Sequence, residues 1–196
     1  MSSLWRTPLL GPAVFAVWRA DARRKLDLIR PWLPQDQSLL EIGSGPGSVL
    51  TEFRAAGYAI DGLDISDSSY DETLKPLLYD GGTMPFKDRE YDTALLLTVL
   101  HHTPDPDAIL KEAARVAGRV IVIEDVFENA WQRKYTKVAD SITNLEFFGH
   151  PHTNRSDPEW RETFERLGLS LVHGEVHRLA RIFRQAVYVV EANRPS

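Results

Sequence analysis

The stretch "LLEIGSGPGSVLTEF", Leu39 to Phe53, constrains this chain more than any other. Strand-like apolar residues run into an acid, Glu41, and glycines follow at 43, 45 and 47. Val49, Leu50, Phe53 and Ala56 then mark one face of a helix. A strand feeding a helix through such a loop gathers backbone N–H groups and a helix N-terminus around one spot. Glycine lets a ligand approach that spot without a Cβ in the way. In an open parallel sheet the spot is the crevice beyond the carboxyl ends of the strands. A tight turn explains one glycine; three at alternate positions, directly after an acid on a buried strand, point to a nucleotide-like ligand. The dinucleotide pattern is G-x-G-x-x-G. Here the third glycine comes one residue early, and Ser48 stands where that pattern wants glycine.

The rest of the chain repeats the strand–helix alternation. Strands are expected at Ser38–Ile42, Tyr58–Leu63, Leu78–Tyr79, Asp92–Leu97 and Arg119–Asp125, with a short helix over Ser69–Leu77. Asp105 is placed to cap a helix that has Pro106 at its first position and Ile109, Leu110, Ala113, Ala114 and Val116 inward. Strands without polar alternation are buried on both faces, as in a parallel sheet covered by helices. Near the end, "SDPEW" has capping-box spacing at Ser156 and Glu159. Two strand-like runs follow, "LSLVHGEVH" and "QAVYVVEA". Too few residues separate them for a crossover helix, so they are expected to pair antiparallel. The fold class is therefore α/β: a Rossmann-like open sheet of about seven strands, mostly parallel, with a C-terminal antiparallel hairpin and helices on both faces.

Composition narrows the function. Of 196 residues, 43% are hydrophobic, enough for one sizeable core, and residues 1–196 are expected to form one domain. Within it we expect an N-terminal helical cap (1–36), a cofactor-binding core (37–125), a substrate-side insert (126–157) and a C-terminal helix and hairpin (158–196). A net charge of -5 argues against nucleic acid as a partner, since phosphate binding needs clustered positive charge. The absence of cysteine excludes disulfides, thiolate metal sites and a cysteine nucleophile. There is no apolar run of about 18 residues, so no membrane-spanning helix is expected. "PLLGPAVFAVW" is interrupted by Gly11 and Pro12 and runs at once into an arginine-rich helix, so it reads as fold rather than secretion signal. The expected location is the cytoplasm. In that helix Val14, Trp18, Ala22, Leu26 and Ile29 share a face, with Arg19, Arg23, Arg24 and Lys25 between them. The basic face suits either solvent or a membrane surface.

Asp64 ends the second strand, where a carboxylate can accept two hydrogen bonds from a ribose diol; NAD sites use the same logic. Beyond this point the chain resembles a family. "EIGSGPG" resembles motif I (D/E-x-G-x-G-x-G) of class I S-adenosylmethionine-dependent methyltransferases. "DGLDIS" resembles their next motif. "DGGTMPFKDREYD" and "TVLHHTPDPDAILKEAARV" resemble the two segments that follow. The four cover residues 38 to 125 in matching order, and the likeness is closest to small methyltransferases acting on metabolites. The resemblance implies S-adenosylmethionine as cofactor, with Gly43, Gly45 and Gly47 passing close to its methionine part. Glu41 would support the loop and the cofactor's amino group. Asp64 would bind the ribose hydroxyls, Asp80 the adenine amino group, and the Gly81 N–H a ring nitrogen. Thr98 would lie under the methionine moiety. Gly81–Gly82 departs from the family pattern, where a helix-friendly pair is common.

A bound sulfonium methyl is already activated, so alignment is the main requirement, with proton removal from an oxygen or nitrogen acceptor added where needed. His101, His102 and His150 are the candidate catalytic residues, with His152, Glu124 and Asp125 as further bases. His101 and His102 read more readily as a pair that caps a loop beside the cofactor, as such a pair does in the family this chain resembles. The insert, with Trp131, Tyr135, Phe147 and Phe148, is expected to line the acceptor side. "HPH" (150–152) is too sparse to define a metal site, and none is expected. The expected partner is a small-molecule methyl acceptor, with the protein a monomer or homodimer. The competing readings are a non-catalytic S-adenosylmethionine or S-adenosylhomocysteine binder and, less favoured by the glycine spacing, an NAD(P)-dependent oxidoreductase.

Overall fold

The computed structural model describes residues 10–127, 153–179 and 183–192. In chain order the elements are α1 (Gly11–Ile29), β1 (Ser38–Ile42), α2 (Ser48–Ala55), β2 (Ala59–Asp64), β3 (Leu77–Leu78) and β4 (Tyr91–Leu97). They continue with α3 (Pro106–Val116), β5 (Ala117–Val126), α4 (Asp157–Arg166), β6 (Leu169–Leu179) and β7 (Phe183–Ala192). Among the described residues the strands form one seven-stranded sheet in the order β3-β2-β1-β4-β5-β7-β6. From β3 to β5 neighbouring strands run parallel, whereas β7 is antiparallel to both β5 and β6. This is the Rossmann-like fold, with the C-terminal hairpin, that the apolar pattern called for. Chain order reverses between β1 and β4, which opens a crevice at their carboxyl ends.

Side chains alternate cleanly across the sheet. Leu39, Leu95, Leu97, Ile121, Ile123, Val187 and Val189 pack on the face that carries α1 and α2. Leu40, Ile42, Ala94, Leu96, Val120, Val122, Tyr188 and Val190 pack on the face that carries α3 and α4. Both faces are covered, so the strands need apolar residues at every position. Each fully buried Leu or Phe stabilises the fold by roughly 1.5–3 kcal/mol. Local signals fix the helix starts. Asp105 accepts from the Ala108 N–H at 3.0 Å. The Glu159 carboxylate accepts from the Ser156 N–H and hydroxyl at the start of α4, both at 2.7 Å.

Two expected bounds are corrected. The helix expected over Ser69–Leu77 is a short 3-10 turn at Glu72–Leu74, and β3 starts one residue earlier than expected. The cause is local: Asp67 accepts from the Ser69 N–H and Asp71 from the Thr73 N–H, and Pro76 holds Lys75 extended. The basic stripe of α1 stays partly solvated, yet it is tied to the next helix. The Arg19 and Arg23 Nε atoms donate to the buried Glu52 carboxylate of α2 at 2.6 and 2.9 Å. Among the described residues no helix is long and apolar enough to cross a membrane.

Candidate active site

The glycine loop joins the carboxyl end of β1 to α2. Gly43, Gly45 and Gly47 all hold positive φ, at 78°, 49° and 83°. Two of them are also sterically required. A Cβ on Gly43 would fall 2.2 Å from Val99 Cγ2, and one on Gly47 would fall 2.7 Å from Leu74 Cβ. At Gly45 the same direction is open space, so the crevice lies on that side of the loop. Gly43 is pinned by its N–H to the Leu63 carbonyl at 2.8 Å, which ties the loop to the tip of β2.

Asp64 stands at that tip. One carboxylate oxygen accepts from the Gly45 N–H at 2.9 Å and the other from the Ser66 N–H at 3.1 Å. Both oxygens keep acceptor capacity beyond these bonds. The next residue, Ile65, is 67% exposed, an apolar surface beside two acids. A Cβ on Gly81 would lie 3.5 Å from its methyl, so the Asp80–Gly81 turn faces it. Asp80 is exposed and accepts from the Gly82 N–H at 2.9 Å. A clamp holds the segment after this turn: Glu112 accepts from the Met84 N–H at 2.8 Å, while Arg115 donates to the Met84 and Phe86 carbonyls at 2.9 and 2.8 Å. Sequence reasoning quoted "LKEAARV" as a motif and did not see that its Glu and Arg brace the loop.

At the end of β4, Thr98 holds a positive φ of 61°, and its hydroxyl donates to the Leu97 carbonyl at 2.6 Å. It accepts from the ammonium of Lys25 at 2.8 Å, a contact that nothing in the sequence pattern announced. Glu41 sits on β1, on the α1 side of the sheet. It is buried, and its Oε2 has no hydrogen-bond partner among the described residues. Burial pushes its carboxyl well above the usual range, Lys25 and Arg54 oppose the shift, and Asp64 adds to it. Further along the strand ends, Asp125 accepts from Gln185 Nε2 at 3.0 Å, and Gln185 Oε1 accepts from Arg24 at 2.6 Å. Burial raises the Asp125 carboxyl too, against the Gln185 hydrogen bond.

The two histidines occupy a turn after Thr98. His101 is 1% exposed, with Nδ1 2.6 Å from Glu124 Oε2; the other Glu124 oxygen accepts from the Leu100 N–H at 2.7 Å. This carboxylate fixes the ring's orientation. The His102 ring lies beside it, with centroids 4.0 Å apart, and is half-buried. The Thr153 N–H donates to the His101 carbonyl at 3.2 Å, so the chain leaving the insert returns to this turn. His150, His152 and the insert aromatics lie outside the described residues. Glu41, Gly43, Gly45, Gly47, Asp64, Asp80, Gly81 and Thr98 thus come together along one edge of the sheet, with His101 and His102 at its far side.

An open parallel sheet whose switch point carries a glycine loop, a buried strand acid and a second acid on the next strand defines an α/β domain built for a nucleoside cofactor. A family model described as a methyltransferase domain matches residues 16–174, and the chain belongs to that family, the class I S-adenosylmethionine-dependent methyltransferases. The ubiquinone biosynthesis O-methyltransferase of Nitrosomonas europaea is 24% identical over 92 residues, which is 41% of this chain and 39% of that protein. The chain spans half or less of the length of the curated relatives it matches. A methyltransferase structure from Methanosarcina mazei superposes with a TM-score of 0.69 at 19% identity, covering 85% of this chain and 98% of that one. The magnesium protoporphyrin IX methyltransferase of Synechocystis PCC 6803, solved with bound S-adenosylhomocysteine, gives 0.61 at 19% identity, covering 87% and 83%.

Proposed function

We propose that this chain transfers the methyl group of S-adenosylmethionine to a small organic acceptor, residues 1–196 acting as one domain. The observation that carries the proposal is the convergence of the Gly45 loop, Asp64, the Asp80–Gly81 turn and Thr98 on one crevice at the switch point. The residues present fit the cofactor. Glu41 offers a buried oxygen without a partner, Ile65 an exposed apolar surface for a purine, and Gly45 an approach clear of side chains. In this reading Asp64 accepts from the ribose hydroxyls, Asp80 from the adenine amino group, and the Gly81 N–H donates to the ring. Glu41 receives the amino group, and Thr98 supports the methionine end.

When bound, the cofactor supplies an activated methyl carbon. The chain's own task is then to align the acceptor and manage its proton. Alignment of this kind lowers a barrier by up to about 7–11 kcal/mol in ideal cases. The buried His101 is a positioning residue held by Glu124, and His102 is the ring of the pair with solvent access, placed to take a proton from an acceptor. A general base of this type contributes about 10²–10⁴-fold. The cytoplasm suits a cofactor and acceptor of this class. The names of the relatives, an O-methyltransferase of ubiquinone biosynthesis and a magnesium protoporphyrin IX methyltransferase, support a metabolite rather than a macromolecule.

Incubation with methyl-labelled cofactor and a fractionated cell extract tests the proposal. Label in a low-molecular-weight fraction is expected. Label in protein or nucleic acid would replace the acceptor class, and tight cofactor binding with no labelled product would favour a non-catalytic binding protein.

A further inference from the structure

Like charges seldom face each other across a β-ladder, because directly opposed Cβ atoms lie only roughly 4.5–5.5 Å apart and the repulsion destabilises the pair. The C-terminal hairpin nonetheless sets Arg178 of β6 directly opposite Arg184 of β7. Arg184 is in turn paired with Val126, the last residue of β5. The two arginines therefore stand at the carboxyl ends of the parallel strands, the end that carries the candidate active site. Side chains alternate along a strand. Val176 and Ala186 pack on the face that carries α3 and α4, so Arg178 and Arg184, each two positions away, project on that face too. The His101–His102 turn is tied to the same face through Glu124, whose partner across the ladder is Ala186.

The carboxylates on this face are committed elsewhere. Glu124 serves the Leu100 N–H and His101, and Asp157 serves Tyr188 and Arg161. Glu175 lies on the opposite face, beside His173 and His177. Arg178 is exposed, and among the described residues no acid pairs with it. In a chain of net charge -5 this corner is locally basic. Charged residues on an outermost strand often serve only to keep other chains from pairing with it. That accounts for Arg178, on β6, but not for Arg184, which lies on β7 between β5 and β6.

Two guanidinium groups side by side present planar forks that match one oxyanion. We propose that Arg178 and Arg184 form the anion-binding part of the acceptor site, so that the methyl group goes to a small acceptor carrying a carboxylate or a phosphate. The inference rests on methyl transfer as proposed above and adds the class of acceptor. The acceptor's charged group then sits at the hairpin, and its nucleophile lies toward the glycine loop.

The test uses the full chain, methyl-labelled S-adenosylmethionine and a cell-extract metabolite pool split by ion exchange into anionic, neutral and cationic fractions. Label is expected in the anionic fraction. Arg178→Gln with Arg184→Gln should lower that transfer about 10- to 100-fold, the range of hydrogen bonds to charged groups, while S-adenosylhomocysteine affinity in calorimetry stays within about twofold. Concentrating the fraction should recover transfer, because the defect lies in acceptor binding. Lysine at both positions should recover part of it, keeping the charge and losing the fork. Phosphatase treatment of the fraction separates the two sources: loss of signal assigns a phosphate monoester and persistence a carboxylate, and both support the site. Label only in the neutral or cationic fraction overturns the acceptor class and leaves methyl transfer standing. Wild-type transfer by the double variant overturns the arginine pair, as does an equal loss of cofactor affinity. No label in any fraction, with S-adenosylhomocysteine bound, removes methyl transfer itself and the acceptor class with it. Should circular dichroism show the double variant unfolded, Arg178→Glu, which sets opposite charges across the ladder, must lose the anionic acceptor instead, or the proposal falls.

Discussion

The two edges of the sheet differ in how their polar groups are matched. At the amino ends of the parallel strands lies a depression of about 510 Å³ lined by Gln37, Arg89, Tyr91, Asp92, Arg119 and Glu191. Several of its polar groups find each other. Asp92 accepts from the Ser38 N–H and hydroxyl at 2.8 Å, Arg119 pairs with Glu191 at 2.8 Å, and the Tyr91 hydroxyl donates to Asp61 at 3.0 Å. At the carboxyl ends the order is reversed: Glu41 Oε2 and Ser44 Oγ are buried with no partner among the described residues. Buried polar atoms are ordinarily satisfied, and leaving one unmade costs about 1–3 kcal/mol. The hollow at the amino ends is thus the quieter one, and unmatched chemistry marks the site.

The sharpest way to break this contrast is at Gly43. Gly43→Ala forces a Cβ against Val99 at a positive φ and should cost about 2–4 kcal/mol in denaturant unfolding, with cofactor binding lost as well. A stable variant that binds normally would mean the loop geometry is not required.

Next comes Asp64. Asp64→Ala should weaken S-adenosylhomocysteine by about 1.5–3 kcal/mol, while Asp92→Ala on the opposite edge leaves affinity unchanged. Comparable losses from both would erase the distinction between the edges.

The edges should also respond oppositely to pH. Burial raises Glu41 in the folded state, so the folded protein keeps a proton that the unfolded chain releases near 4.5. Stability then falls as pH rises from there through the folded value, by at most about 1.4 kcal/mol per unit. Glu41→Gln should flatten that slope in thermal melts. Asp92 is held below its ordinary value by hydrogen bonds from the Ser38 backbone and side chain, so its contribution is lost only as pH falls through the folded value. A Glu41→Gln melt series that keeps the wild-type slope would show that this carboxyl is ionised in the fold.

The smallest effect is expected at Arg119. Arg119→Met removes a partly exposed ion pair, worth about 0–1 kcal/mol, and cofactor affinity should stay within twofold. A larger change in affinity would make the quiet edge a second site.

Much of this was legible in the chain because it depends on neighbours in sequence. Three glycines after a strand acid, a second acid at a strand tip and apolar runs without alternation each report local backbone needs. The open, mostly parallel sheet, its C-terminal hairpin and the place of Asp64 at a strand tip follow from them. The short helix expected at Ser69–Leu77 failed because Asp67, Asp71 and Pro76 compete with helix locally, a signal present in the sequence and outweighed by the apolar spacing. Other features had no local signature. Arg24 meets Gln185 across 161 positions, Lys25 meets Thr98 across 73, and His101 meets Glu124 across 23.

The sequence by itself determined the class of sheet and the place of the crevice, since backbone conformation and apolar period are written residue by residue, while the cofactor followed from the resemblance of its motifs to a family. Only the tertiary structure decided that Arg19 and Arg23 of α1 reach the buried Glu52, that His101 is buried against Glu124, and that a lysine from the cap enters the strand ends. Those outcomes depend on which distant groups share a dry space, where an unmatched charge is costly and its partner is chosen by packing.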